Sequence, residues 1–129
     1  MVKLKRAYEK AGAGDGPRYL VDRLWPRGVT KASLQIEDWL KNAAPSEELR
    51  NWFHHEPQKW KEFRQRYFAE LRANPDAWAA LAGAAGKTSI TLVYGAKDPE
   101  HNNAVALAEF LNARGAPKAR KKPSGRAAS

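Results

Sequence analysis

The stretch that decides the fold is "TSITLVYGAKDPEHNNAVALAEFL", residues 88–111. Residues 88–94 are β-branched and almost continuously apolar, the pattern of a central strand buried on both faces. "GAKDPEHNN" is a polar loop by its glycine, proline and asparagine content. "AVALAEFLNAR" then carries an apolar helical face and stops at Gly115, a common C-terminal helix signal. A strand of this kind needs strand neighbours and helices to cover it, so the rest of the chain must supply both.

Upstream, "RYLVDRL" (18–24) reads as a second strand, ended by Trp25-Pro26 because proline offers no ladder donor and restrains the residue before it. "VKLKRAY" (2–8) alternates Val2, Leu4, Arg6 and Tyr8 on one face, as a half-exposed strand does. "AGAGDGP" (11–17) is a loop. Between Lys31 and Asn42 the apolar residues Leu34, Ile36, Trp39 and Leu40 keep no clear period, so the stretch reads as a loop leading into a short helix.

After Pro45 the helical signals are clean. Ser46 is a cap, with Glu47 and Glu48 in the first turn, and Leu49, Trp52 and Phe53 form an i, i+3, i+4 face. Beyond Pro57, Trp60, Phe63, Tyr67 and Leu71 recur at helical spacing, and Glu62–Arg66 is a favourable i, i+4 pair. Asn74-Pro75 starts another helix, which should dissolve in "AGAAGK". So long a helical crossover predicts that strands 18–24 and 88–94 run parallel. The expected fold is α/β: a small sheet with at least two parallel strands, covered by helices, in a single domain over residues 1–116.

The 129 residues suit one domain. There are no cysteines, which excludes disulfides, thiolate nucleophiles and zinc–thiolate or iron–sulfur sites. No apolar run approaches the roughly 18 residues of a membrane span. "MVKLKRAYEK" lacks the apolar core of a signal peptide, so the expected location is cytoplasmic. The net charge of +9 is unevenly placed. Residues 117–129 hold Lys118, Arg120, Lys121, Lys122 and Arg126 with no acid and no large apolar residue, so over half of the excess belongs to a tail expected to lie outside the fold.

In open α/β sheets, ligands bind outside the carboxyl ends of the parallel strands. Parallel strands at 18–24 and 88–94 would bring "RLWPRG" and "YGAKDPEHNN" to one edge. The start of the last helix, near Asn102 and Asn103, would present free N–H groups and a positive dipole end there. Arg23, Arg27 and Lys97 would add charge, while Asp98, His101, Asn102 and Asn103 could read or polarise the rest of a ligand. These seven residues are the candidate site, and they suit a small phosphate- or carboxylate-bearing ligand.

Each has a structural alternative. Asn102 or Asp98 can simply cap the last helix, Trp25 can pack in the core, and Arg23 can form an ion pair. Arg27, beside Gly28, is the hardest to explain structurally. "FHHEP" (53–57) invites a metal reading, but "HExxH" fails because Lys59 stands where the second histidine is required. No metal or cofactor is expected. No complete catalytic motif is present: Ser33, Ser46 and Ser89 have no adjacent base, and neither "GxSxG" nor a P-loop occurs.

"VDRLWPRG", "APSEELRNWFHHEP", "FRQRYFAEL" and "ITLVYGAKDPEHNNAVALAEFL", in that order, resemble the YeaO-like proteins, a family of small bacterial proteins classed as a domain of unknown function. The resemblance covers about residues 3–114 and implies a compact α/β domain without naming an activity. The strand–loop–helix at 90–111 is also similar to the place where rhodaneses and cysteine-based phosphatases hold a reactive thiolate in an anion cradle. With no cysteine here, only the cradle could survive. The leading expectation is therefore anion binding at the sheet edge. The alternatives are nucleic-acid contact through the tail and basic surface, and a protein-interaction module.

Overall fold

The computed structural model describes residues 1–54 and 56–115. Four strands form one all-parallel sheet in the order β1-β4-β2-β3, with β1 at Val2–Arg6, β2 at Arg18–Leu20, β3 at Asp38–Trp39 and β4 at Ile90–Tyr94. The helices are α1 (Lys31–Leu34), α2 (Glu47–Phe53), α3 (Trp60–Ala73), α4 (Ala79–Lys87) and α5 (Asn103–Gly115). The chain is an α/β domain.

β4 is the centre. All five of its residues are buried, and it pairs with β1 on one side and β2 on the other. Its side chains alternate between two cores, as a pleated strand requires. Ile90, Leu92 and Tyr94 enter the larger core with Val21, Phe63, Tyr67, Leu81 and Leu107, under α2 to α5. Val93 enters the smaller one with Ala7, Leu20 and Leu34, and Trp25, Val29, Ile36 and Trp39 pack against it. That second face is closed by the short α1 and an aromatic loop, not by a layer of long helices.

The parallel relation of β2 and β4 matches the sequence expectation. Four details differ from it. β2 ends at Leu20, not at residue 24, although Val21 still donates to the Val93 carbonyl at 3.1 Å. Residues 31–42 contain α1 and the two-residue strand β3, which pairs Asp38 with Tyr19 and Trp39 with Leu20. The helix expected to dissolve in "AGAAGK" continues to Lys87; five alanines and a leucine in nine residues outweigh two glycines at about 1 kcal/mol each. Asn74 occupies the cap position ahead of Pro75, but its side chain makes no capping bond.

Ser46 caps α2 as the sequence predicts, accepting from the Leu49 N–H at 3.1 Å. Glu70 of α3 fixes that cap in turn. Its carboxylate accepts from the Ser46 N–H at 2.9 Å and from the Ser46 hydroxyl at 2.5 Å. The Tyr67 hydroxyl, one turn away on α3, donates to the Ala43 carbonyl. α3 therefore sets the position and direction of α2.

At the amino edge, Asp15 gathers the Gly12 N–H at 3.0 Å, Lys5 at 3.1 Å and the buried Arg18 at 2.6 Å. The Gly12 N–H chiefly, helped by the Lys5 and Arg18 cations and opposed by burial, holds its pKa at about 2. A carboxyl whose pKa is lowered on folding stabilises the fold above its unfolded value, 3.8, and loses that contribution as pH falls through 3.8 towards 2. Asp15→Asn should therefore cost roughly 1–3 kcal/mol in urea unfolding at pH 7. The cost should shrink in measurements at pH 3 and below. An equal cost at both pH values would refute the assignment.

Candidate functional site

The carboxyl edge is held together by Asp22, the second residue past β2. One carboxylate oxygen accepts from the Gly95 N–H, just past β4, at 2.8 Å. The other accepts from the Asn103 amide, at the start of α5, at 3.1 Å. The same amide donates to the Val21 carbonyl at 2.9 Å. A Cβ at Gly95 would lie 3.2 Å from the Asp22 carboxylate, which would have to shift by a few tenths of an ångström to admit it. The two loops expected to face each other do so.

Between them lies a cleft of about 270 Å3, lined by Asp22, Arg23 and Leu24 from one loop and by Gly95, Ala96, Asn102 and Asn103 from the other. Ala44 and Pro45 ahead of α2, Arg50 and Phe53 on α2, and Phe63 on α3 complete it. Phe53 and Phe63 stack at 4.4 Å between centroids, giving the cleft a firm apolar wall.

Two arginines line this space. Arg23 donates through Nε and Nη2 to the Pro45 carbonyl at 3.4 and 3.3 Å, both long for such bonds. The Nε of Arg50 is buried and has no hydrogen-bond partner. Among the described residues no carboxylate forms an ion pair with either arginine.

Of the seven residues singled out in the sequence, Arg23, Asn102 and Asn103 line the cleft. Asn102, 1% exposed, is the α5 cap: its carbonyl oxygen accepts from the Val105 N–H at 3.0 Å and its amide donates to the Asp98 carbonyl at 2.8 Å. Asp98 organises its own loop, accepting from the N–H groups of Glu100 at 2.8 Å and His101 at 3.2 Å and pairing with His101 Nδ1 at 2.9 Å. The Glu100 N–H above all, with the His101 side chain next, lowers its pKa. The His101 ring meets Trp60 edge-on at 5.3 Å. Asp98, His101 and the exposed Lys97 do not line the cleft.

Arg27 does not line it either. The Val29 N–H bonds the Pro26 carbonyl at 3.4 Å, closing a turn with Arg27 and Gly28 at its centre and Gly28 at φ +78°. This is the position at which a type II turn favours glycine. Arg27 is exposed there, and its carbonyl accepts the Tyr8 hydroxyl at 3.0 Å. Trp25 packs edge-on against Trp39 at 5.3 Å and donates to the Val29 carbonyl at 2.7 Å. "WPRG" is thus a turn beside the site, while Asp22, Arg23 and Leu24 form the rim. His55 and the tail from residue 117 lie outside the described residues. Among those described, no three histidine, aspartate or glutamate side chains are grouped to hold a metal, and no helix is long and apolar enough to cross a membrane.

Sequence reasoning missed Arg50, Phe53, Phe63 and Asp22 as site residues. Arg50 left a readable signal. It sits three residues before Phe53, so it shares the core-facing side of α2 with an otherwise apolar set.

These features define a small α/β domain with an arginine-lined cleft at the carboxyl edge of a parallel sheet. Residues 1–128 match the family described as the inactive DUF488-N3 subclade, and the chain belongs to it. It is 44% identical over 110 residues to the uncharacterized protein YeaO of Escherichia coli K12, covering 85% of this chain and 96% of that protein. It is 40% identical over 113 residues to the uncharacterized proteins Rv3073c of Mycobacterium tuberculosis H37Rv and Mb3100c of Mycobacterium bovis, covering 88% of this chain and 95% of each. No solved structure matches it.

Asn102→Ala removes the α5 cap and the bond to the Asp98 carbonyl together. It should lower stability by about 1–2 kcal/mol in chemical denaturation with the fold retained. A cost below about 0.5 kcal/mol would mean that α5 does not depend on this cap.

Proposed function

We propose that this chain is a cytoplasmic binding domain for a small anionic ligand, carrying a carboxylate or phosphate group, which sits in the cleft at the carboxyl edge of the sheet. The observation that carries the reading is the buried Arg50 Nε without a partner. An unmet donor of this kind costs roughly 1–3 kcal/mol, and a ligand oxygen that accepts from it recovers that energy. Arg23, bonded only at 3.3–3.4 Å to one carbonyl, adds a second cation to the cleft lining. Guanidinium groups offer paired N–H donors that match the oxygens of a carboxylate or phosphate.

Several features favour binding over catalysis. The sequence supplies no thiol, the described residues lining the cleft include no histidine, and Asp22 is bonded to two loop donors. The family description carries the word inactive, which fits the same reading.

The test is a thermal-shift screen of the full chain against inorganic anions, carboxylates and sugar phosphates, at constant ionic strength. Binding to the native state raises the melting temperature by mass action. A ligand that raises it for wild type should bind about 10–100-fold more weakly to Arg50→Gln, the equivalent of one charge-assisted hydrogen bond. Arg27→Gln, outside the cleft, should bind as wild type does. A hit that survives Arg50→Gln but not Arg27→Gln would move the site to the Pro26–Val29 turn and overturn the reading.

A further inference from the structure

The loop after β4 already commits several of its donors within the chain. A phosphate-binding loop works by aiming several unused backbone N–H groups at one anion. Here the Gly95 N–H goes to Asp22, those of Glu100 and His101 go to Asp98, and that of Val105 goes to Asn102. The Asn103 amide is also committed, to Asp22 and to Val21. The Asp22 and Asp98 carboxylates hold three of these backbone N–H groups.

The charge of the cleft points the same way. Among the described residues its lining sets the carboxylate of Asp22 in the same space as the cations Arg23 and Arg50. A phosphate monoester is close to doubly charged at neutral pH. Lodged between the arginines and Asp22, it would meet like charge in a partly desolvated space, where screening is weak. A planar carboxylate needs only the two-donor fork that one arginine supplies. The rest of the wall is apolar, with Leu24, Pro45, Phe53 and Phe63 facing the space. At about 270 Å3 the cleft falls below the range of drug-sized ligands, which begins near 300 Å3.

We propose that the cleft takes an amphipathic monocarboxylate, a single carboxylate on a ring-sized or short hydrocarbon body, and that Asp22 is the residue that discriminates against phosphate-bearing ligands. The proposal rests on the anion-binding reading above and narrows it. The carboxylate lies on the Arg50 and Arg23 side, and the hydrocarbon body lies against the Phe53 and Phe63 rings. Asp22 acts twice, by occupying the Gly95 N–H and by placing a negative charge at the α5 end of the cleft.

A matched pair of probes tests it on the full chain: phenylacetate and phenyl phosphate, titrated calorimetrically at pH 7.5 and constant ionic strength. Phenylacetate should bind at least about tenfold more tightly than phenyl phosphate, and more tightly than acetate by a similar factor. Equal or reversed affinities for the first pair would overturn this inference while leaving the anion site standing. Binding of neither probe, with the protein folded, would overturn both. In Asp22→Asn the preference for phenylacetate over phenyl phosphate should shrink by about tenfold. An unchanged ratio in a folded Asp22→Asn variant would remove Asp22 from the explanation. Should that variant fail to fold, the wild-type ratio alone decides whether the cleft prefers carboxylates.

Discussion

Everything at the functional edge depends on burying β4 between two parallel neighbours. A strand hydrogen-bonded on both sides and covered on both faces leaves no route for solvent to its backbone. Its polar groups must therefore be satisfied by the sheet, and the chain can leave it only at the ends. Because β2 runs the same way, the segments that leave β2 and β4 emerge side by side. Both begin as irregular backbone with N–H and carbonyl groups to satisfy, and this shared need draws the two loops together at Asp22. Placing that carboxylate between Gly95 and Asn103 satisfies a backbone donor and a side-chain amide in one step.

The same accounting isolates Arg50. Most donors near the edge are met from within: Asp98 closes its loop, Asn102 caps α5, and Glu70 fixes the start of α2 through Ser46. This last contact matters most for the site. By tying Ser46 to α3 it sets the direction of α2, and α2 then carries Arg50 and Phe53 into the cleft together. The arginine is held in an unmet position by an anchor four residues away that is itself fully bonded. Its place in the cleft wall is a consequence of packing, and on the proposed reading that packing would keep a binding group preorganised.

The sequence revealed the fold where periodicity was long and unmixed. β4, the Ser46 cap, the apolar faces of α2 and α3, and the parallel relation of β2 and β4 all rest on patterns spanning a turn or a whole strand. β3 was not legible because two residues carry no alternation, and its pairing is imposed by Tyr19 and Leu20 from outside. The site was legible as a place and less so as a set of side chains. Position along the strands brought the right loops together, but charge alone selected Arg27. Its turn is explained by Pro26 and by Gly28 at positive φ, and neither needs an arginine between them. Arg50 sits 27 residues further along the chain than Arg23 and on a different element, so only the tertiary placement of α2 reveals the pair.

An α/β edge can hold an anion with its backbone or with its side chains, and the two choices have different consequences. A ring of backbone N–H groups is nearly blind to what lies behind the anion, because it contacts only oxygens. It favours compact, highly charged groups that can accept from several directions at once. A guanidinium on a stacked aromatic wall reads more of the ligand. It favours planar oxygen pairs, and the rings beside it reward an apolar body by roughly 25 cal/mol for each Å2 removed from water. In this chain the Asp22 and Asp98 carboxylates take three backbone N–H groups of the edge, and Arg23 and Arg50 line the cleft beside them. The two facts are linked through one residue. On the proposed reading, the carboxylate that binds the loops together is also the charge that disfavours a doubly charged ligand, so the requirement for a stable edge would shape the selectivity of the cleft beside it.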